Sequence, residues 1–199
     1  MSHAFAAYKM GDHTARNLGR MTLNPAVHLD FIGTACMLFF GFGWAKPVPV
    51  NSRNFRNPRK GIIVTSIAGP LSNLLLSFAA LLVFSLVCAF LRVPYAIDGN
   101  TAFGGKLLYF LTELLWYFHI LNLYLAVFNL IPIPPLDGSK VLFMFLPAKI
   151  YFFVSKYERY ISLALLALLY LGVLSTPIAW ICSYISYGMS LLIGLIPGV

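Results

Sequence analysis

Long runs without charged side chains alternate with short polar segments along this chain of 199 residues. Residues 62–91 and 160–199 contain no Asp, Glu, Lys, Arg or His, and residues 114–136 contain only His119 among these types. About 20 apolar residues are enough for a helix to cross the hydrocarbon core of a bilayer. The pattern predicts an all-α, polytopic membrane helix bundle with at least three spans, and a fourth where Pro177 and the glycine-rich end divide the last run.

Shorter features refine this prediction. Residues 31–45 are apolar but too short to span comfortably, which favours a re-entrant or interfacial segment. Gly69 and Pro70 predict a break that leaves residues 71–91 as a full span. The segment 147–160 mixes charges with aromatic residues, which indicates an amphipathic interfacial segment. We therefore divide the chain into a membrane core, 1–146, and a second part, 147–199, with the interfacial segment and one or more C-terminal membrane helices.

Composition and charge agree with a membrane protein. Hydrophobic residues make up 60% of the chain and charged residues only 10%, with a net charge of +8. The segment 46–60 carries five basic residues and no acidic one, which marks it as cytoplasmic and explains the basic charge without nucleic acid. The loop 92–106 then faces the opposite side. The three cysteines lie far apart in apolar surroundings and form no zinc-finger spacing.

Two helix faces carry small or polar side chains at steps of three and four residues, a spacing that allows close packing between membrane helices. The first face consists of Ser66, Gly69, Asn73, Ser77 and Ala80. The second, which we expect to point into the bundle, consists of Thr112, His119, Asn122, Ala126 and Asn129. His119 as a metal ligand is the weaker interpretation, because it lies roughly 27 Å before Asp137 along a straight helix.

A carboxylate follows a proline-rich helix end. Pro132, Pro134 and Pro135 cannot continue the backbone ladder, and Asp137 and Gly138 come directly after them. An ionised carboxylate near a bilayer needs a partner, and a bound cation is one such partner. An Asp-Gly turn at the membrane interface explains the same residues, so the local sequence leaves both interpretations open.

The pattern of Asn129, Pro132, Pro134, Asp137 and Gly138 resembles the third-helix motif of the site-2 protease family of intramembrane zinc metalloproteases. The start of the chain is similar to the second half of the family's first core helix, which carries His-Glu-x-x-His; the matching positions are His3, Ala4, Gly11, Asp12, Thr14 and Ala15. The resemblance implies that His3 and Asp137 are zinc ligands.

The same resemblance places the first His of the motif and its general-base Glu immediately before Met1. No catalytic residue is therefore assigned within the chain, and we expect the polypeptide as written to be inactive or nearly so. A reading frame set to start at an internal Met is the favoured explanation, and a true pseudoenzyme is the other.

Two further segments resemble the family. Residues 23–30 match its Leu-Asn-Pro-x-x-His-x-Asp segment, where His28 and Asp30 form either a structural loop or, less simply, a second metal site. The Gly69, Pro70 and Asn73 pattern matches a signature whose Asn lies near the catalytic centre. Asn73 and Asn129 are thus candidates for positioning substrate, while a hydrogen bond between packed helices is the alternative role for Asn73.

The resemblance implies a zinc endopeptidase that cleaves transmembrane segments of other proteins, in a bacterial-type plasma membrane because no targeting segment is visible. Two other classes stay open. A catalytically inactive relative would bind membrane substrates without cutting them. A small transporter would also use an intramembrane Asp, but it should contain repeated halves, and none is visible.

Overall fold

The computed structural model describes residues 1–40, 43, 45–91 and 103–196. Within these residues the regular elements are helices, and the single strand-like pairing is a bridge between Leu29 and Ala45. The α-helices are α1 (Ser2–Lys9), α2 (Thr14–Asn17), α3 (Phe31–Phe40), α4 (Pro58–Leu91), α5 (Phe103–Leu130), α6 (Asp137–Phe143), α7 (Ala148–Tyr170) and α8 (Ser175–Ile193). The predicted all-α fold is confirmed.

Three described helices are long and apolar enough to cross a membrane: α4, the Gly105–Leu130 part of α5, and α8. Their outward faces carry large apolar side chains such as Leu75, Leu114 and Trp180, which are 61%, 55% and 66% exposed. Such exposure suits lipid rather than water as the surrounding solvent. The described residues thus contain the three helices of membrane-spanning length and composition that the sequence predicts.

The interior of the bundle lies where α4, α5 and α8 meet. Leu81, Leu123, Val127, Ile178 and Cys182 belong to one buried cluster. Both predicted faces of small and polar residues contribute buried members, which are Ser66, Gly69, Ser77 and Ala80 on α4 and Thr112, His119, Asn122 and Ala126 on α5. Small and polar residues hold these helices together because lipid tails are as apolar as leucine.

The predicted break at Gly69 and Pro70 is wrong, because α4 runs without interruption from Pro58 to Leu91 with Pro70 inside it. A proline removes one donor from the ladder, here the bond that residue 70 would make to the carbonyl of Ser66. Membrane helices tolerate such a loss where neighbouring helices pack against the site. Here α1 and α6 both pack against α4.

The last apolar run is divided between two helices, and the division lies just before Pro177 rather than at it. Helix α7 runs from Ala148 through residue 160 to Tyr170, so the predicted interfacial segment and the start of the last apolar run form one helix. The turn comes at Gly172, whose φ of +72° is a conformation that glycine adopts without strain. Pro177 lies in the first turn of α8, where its missing N–H leaves no helical bond unmade.

Helix α3 has ten residues, about 15 Å of length, which is roughly half of a bilayer core. Its side chains Phe31, Ile32 and Leu38 are exposed. These features agree with the predicted re-entrant or interfacial segment, although residues 41, 42 and 44 of that prediction lie outside the described residues. Most of the loop 92–106 lies outside them as well.

Candidate metal centre

Helix α1 brings His3 against the N-terminal half of α4. Its small residues Ala4, Ala6 and Ala7 are buried, which allows a close approach of the two helices. The imidazole of His3 lies over Gly69, where an added Cβ would stand only 2.2 Å from Nε2. Residue 69 must therefore be glycine for the ring to occupy this position.

The orientation of the His3 ring is set by α4. Nδ1 of His3 lies 2.8 Å from the backbone carbonyl oxygen of Thr65. A carbonyl only accepts hydrogen bonds, so Nδ1 carries the proton and donates. This arrangement turns Nε2 towards the cavity, and a carbonyl partner of this kind commonly orients metal-binding histidines.

Asp137, far from His3 in the sequence, lies beside the His3 ring in the structure. It begins α6, and Gly138 lies so close to the end of α5 that an added Cβ would stand 2.2 Å from the carbonyl oxygen of Leu130. Lys140 Nζ donates to Asp137 Oδ1 at 2.8 Å. The other oxygen, Oδ2, faces His3 Nε2 at 3.3 Å.

This pair fits a zinc ion. Tetrahedral zinc with Zn–N and Zn–O distances of about 2.0–2.2 Å separates neighbouring ligand atoms by about 3.4 Å, which matches the distance between His3 Nε2 and Asp137 Oδ2. Imidazole nitrogen and carboxylate oxygen are both zinc donors. The described residues contain no third His, Cys, Asp or Glu close enough to join them. The pair thus offers two donor atoms, whereas catalytic zinc takes three protein ligands.

His3 and Asp137 lie at the wall of a cavity of about 540 Å³. Its remaining lining comes from α4, from the segment before it and from α6 with the start of α7, and is mostly apolar: Val48, Val50, Ile62, Phe143, Met144 and Tyr151. A small polar centre within apolar walls is typical of ligand sites in proteins.

The extended wall of the cavity, residues 47–52, is held by a buried carboxylate. Asp12 is fully buried and accepts hydrogen bonds from the backbone N–H of Asn51 at 2.7 Å and from Asn54 Nδ2 at 2.9 Å, and further bonds from Thr14. Burial acts to raise the pKa of Asp12, but the hydrogen bonds from Thr14, Asn54 and Asn51 outweigh it and hold the pKa below its ordinary value.

The other predicted site residues do not line this cavity. Asn129 donates through Nδ2 to the carbonyl of Leu125 in its own helix, and Asn73 lies one turn beyond Gly69 on α4. His28 contacts the carbonyl of Thr22, and Asp30 accepts from the backbone of Gly33, which is the structural-loop arrangement.

His119 is buried in the bundle and contacts Ser77 and Ser186 rather than Asp137. Three supporting residues were missed from the sequence, which are Thr65, Gly69 as a cradle for His3, and Lys140. Of these three residues, only Gly69 could have been found from the sequence, because it belongs to the predicted face of small and polar residues.

The fold is that of a helical protein with three helices able to cross a membrane, and a His and a carboxylate meet at the wall of its cavity. Residues 2–172 match the model of peptidase family M50, and the chain belongs to that family. The predicted membership of the site-2 protease family is thereby confirmed, and zinc is the metal that these proteases use.

Curated relatives agree. The chain is 46% identical over 142 residues to "Putative zinc metalloprotease YwhC" of Bacillus subtilis, covering 71% of this chain and 61% of the relative. It is 31% identical over 142 residues to "Putative zinc metalloprotease Rip2" of Mycolicibacterium smegmatis, covering 68% and 48%. These matches thus span about half to three fifths of the relatives' length. No solved structure matches the chain.

Proposed function

We propose that this protein acts as an intramembrane zinc metalloendopeptidase that cleaves transmembrane segments of other membrane proteins. One observation carries the proposal: His3 and Asp137 are far apart in the sequence, yet His3 Nε2 lies 3.3 Å from Asp137 Oδ2 at the wall of a cavity. The names of the two relatives above support both the metal and the class of reaction.

In this proposal His3 and Asp137 hold the metal from two sides. The carbonyl of Thr65 keeps the His3 ring turned towards the metal, and Lys140 occupies the second oxygen of Asp137 so that Oδ2 points inward. Bound zinc supplies a Lewis acid and lowers the pKa of a coordinated water to about 7. Hydrolysis also needs the first His and the general-base Glu of the family's His-Glu-x-x-His motif, so it is proposed for protein that carries the whole motif.

The substrate is proposed to be an apolar segment in extended form. The cavity walls include Val48, Val50, Ile62 and Met144, which suit the side chains of a transmembrane helix. Such a helix must unwind locally, because its carbonyls are engaged in its own hydrogen bonds. Asn73 and Asn129 remain our candidates for holding the unwound strand or a neighbouring loop.

A bacterial plasma membrane is the proposed location. The basic segment 46–60 directly precedes the span of α4, which favours a cytoplasmic position for this end of the bundle. His3 and Asp137 lie at the same end, beside residues 47–52 of that segment. The two relatives named above come from bacteria, which supports this location.

A second candidate function is binding of membrane segments without cleavage. The observation that favours it is the mostly apolar lining of the cavity, which is all that binding requires. A cavity with apolar walls would still accept a membrane segment. The two candidates differ in bound zinc and in peptide hydrolysis.

The test uses protein purified from membranes after expression from its own gene with the natural N-terminus. Zinc per chain is measured by elemental analysis, and cleavage of a tagged transmembrane peptide is measured in proteoliposomes. We expect a single zinc per chain and cleavage in the parent, and loss of both in Asp137→Ala. Asp30→Ala is the matched control, since Asp30 is bonded within its own loop, and it should keep both.

Each outcome separates the candidates. Zinc without cleavage in the parent supports the binding role, and intact mass of the same sample reports whether His-Glu precedes Met1. Absence of zinc in the parent, or unchanged zinc in Asp137→Ala, contradicts the assignment of the metal centre.

A further inference from the structure

We propose that the hydroxyl of Thr65 donates a hydrogen bond to an oxygen atom bound at the metal centre, either a water molecule or the carbonyl oxygen of a peptide substrate. The inference rests on the proposed function and adds to it a residue, beyond the metal ligands, that positions the reacting oxygen. The observation behind it is the buried hydroxyl of Thr65, which has no hydrogen-bond partner among the described residues.

Thr65 is 6% exposed, and its Oγ1 has no hydrogen-bond partner among the residues that the structure describes. Two other buried hydroxyls are paired: Ser77 contacts His119 at 2.8 Å, and Ser139 donates to the carbonyl of Leu136 at 2.7 Å. Nearly all buried polar groups in native proteins have a partner. An unpaired hydroxyl at this position therefore points to a partner that arrives with a bound ligand.

The helix itself offers Thr65 an alternative that it does not take. A helical threonine commonly bonds to the carbonyl three or four residues earlier. Thr112 does so with Tyr109 at 2.8 Å, and Thr34 with Asp30 at 2.6 Å. The hydroxyl of Thr65 instead stays unbonded at the face of α4 that lines the cavity.

The neighbours of Thr65 identify the partner's chemistry. Its own carbonyl lies 2.8 Å from Nδ1 of His3, and Thr65, His3 and Asp137 line the same cavity. Thr65 therefore lies in the same cavity wall as the ligand pair, beside the volume that a metal-bound group would enter. Since a metal is held by oxygen or nitrogen lone pairs, a hydroxyl next to it can best donate to a metal-bound oxygen.

The experiment compares Thr65→Val with Thr65→Ser in the natural protein loaded with Co²⁺. Valine keeps the branched shape and the backbone carbonyl that orients His3, but it removes the hydroxyl, while serine keeps the hydroxyl. The readouts are the visible ligand-field spectrum, with and without acetohydroxamate as an oxygen ligand, the thermal midpoint, and kcat and KM for a peptide. Thr112→Val, which removes a paired hydroxyl far from the site, is the control.

We expect Thr65→Val to bind Co²⁺, to unfold at an unchanged or higher temperature, and to lose activity by about 10–100-fold, the usual range for groups that support a metal site. Thr65→Ser should restore the parent values. An altered spectrum without added ligand identifies the partner as water. A change only with acetohydroxamate, together with a raised KM, identifies it as the substrate carbonyl.

Two results overturn the inference. One is a Thr65→Val protein whose spectra and kinetics equal those of the parent. The other is a lowered thermal midpoint with unchanged spectra, which would make the hydroxyl a structural group. Failure of the parent to bind Co²⁺ would instead contradict the proposed metal centre, so the two failures are distinguishable.

Discussion

Two aspartates near the same cavity differ in how their oxygens are used. Asp12 is fully buried, and both of its oxygens accept hydrogen bonds from the surrounding backbone and side chains. Asp137 has one oxygen on Lys140 and turns the other to His3 across a cavity. The comparison teaches that a carboxylate whose two oxygens both accept hydrogen bonds stabilises the fold. A carboxylate with one oxygen turned to a histidine can serve as a metal ligand.

The histidines repeat the same contrast. His119 is fully buried, with Nδ1 near Ser77 and Nε2 near Ser186, so both ring nitrogens are engaged inside the bundle. His3 uses Nδ1 for the carbonyl of Thr65 and presents Nε2 to Asp137. The helix interface of α4, α5 and α8 is thus a structural region, and the end of the bundle at α1 and α6 is the chemical one.

Among residues that are not proposed metal ligands, the largest effect is expected from Gly69→Ala. An added Cβ would stand 2.2 Å from His3 Nε2, so the ring has to leave its position. Changes outside the ligand set cost about 10–100-fold in metal affinity, and displacement of a ligand should reach at least the upper end of that range. Isothermal titration with Zn²⁺ measures it. Gly188→Ala is the control because no atom lies within 4 Å of an added Cβ at that position. An equal loss of zinc affinity in both variants would contradict the claim that Gly69 makes room for the His3 ring.

Asp12→Asn should act on stability and leave zinc bound. The amide nitrogen cannot accept a hydrogen bond, so the free energy of unfolding at neutral pH should fall by about 1.5–3 kcal/mol. Because the folded pKa of Asp12 lies below its ordinary value, this contribution is complete above about pH 4 and disappears as the pH falls through that lower pKa.

Denaturant unfolding in micelles at several pH values measures the effect of Asp12→Asn. The parent and the variant should converge in stability as the medium becomes more acidic. A gap that persists at the lowest pH, or loss of zinc in the variant, would show that Asp12 is not a purely structural anchor.

The smallest effect is expected from Ser186→Ala. Its hydroxyl lies 3.0 Å from Nε2 of His119 between α8 and α5, and polar contacts between membrane helices contribute about 0.6 kcal/mol on average. Thermal unfolding measures the difference, with Ser190→Ala as the control because that hydroxyl bonds only within α8. Zinc content should stay at the parent value, and a loss of zinc would couple the bundle interior to the site.

The sequence predicted most of the architecture through uncharged runs, because a bilayer imposes a minimum length on any helix that crosses it. Its errors fall where tertiary packing overrides a local signal. Gly69 and Pro70 look like a helix break in isolation, yet α4 is held by its neighbours and Gly69 makes room for His3. The turn at Gly172 had no charged residue to distinguish it from the uncharged run around it.

The two candidate ligands of the site could be predicted from the sequence, but the residues that orient them could not. His3 and Asp137 came from motifs that resemble a known family, and the structure brings these two residues together. Thr65 acts through its backbone carbonyl and an unpaired hydroxyl, and neither property is visible in a residue's identity. Lys140 gave no signal either, because basic residues near membrane ends usually reflect topology.

The most direct test of the account is the zinc content of the natural protein and of the two aspartate variants, measured by elemental analysis on the same preparation. We predict a single zinc per chain in the parent and in Asp12→Asn, and none in Asp137→Ala. Equal zinc in the parent and in Asp137→Ala would contradict the claim that His3 and Asp137 together form the metal centre.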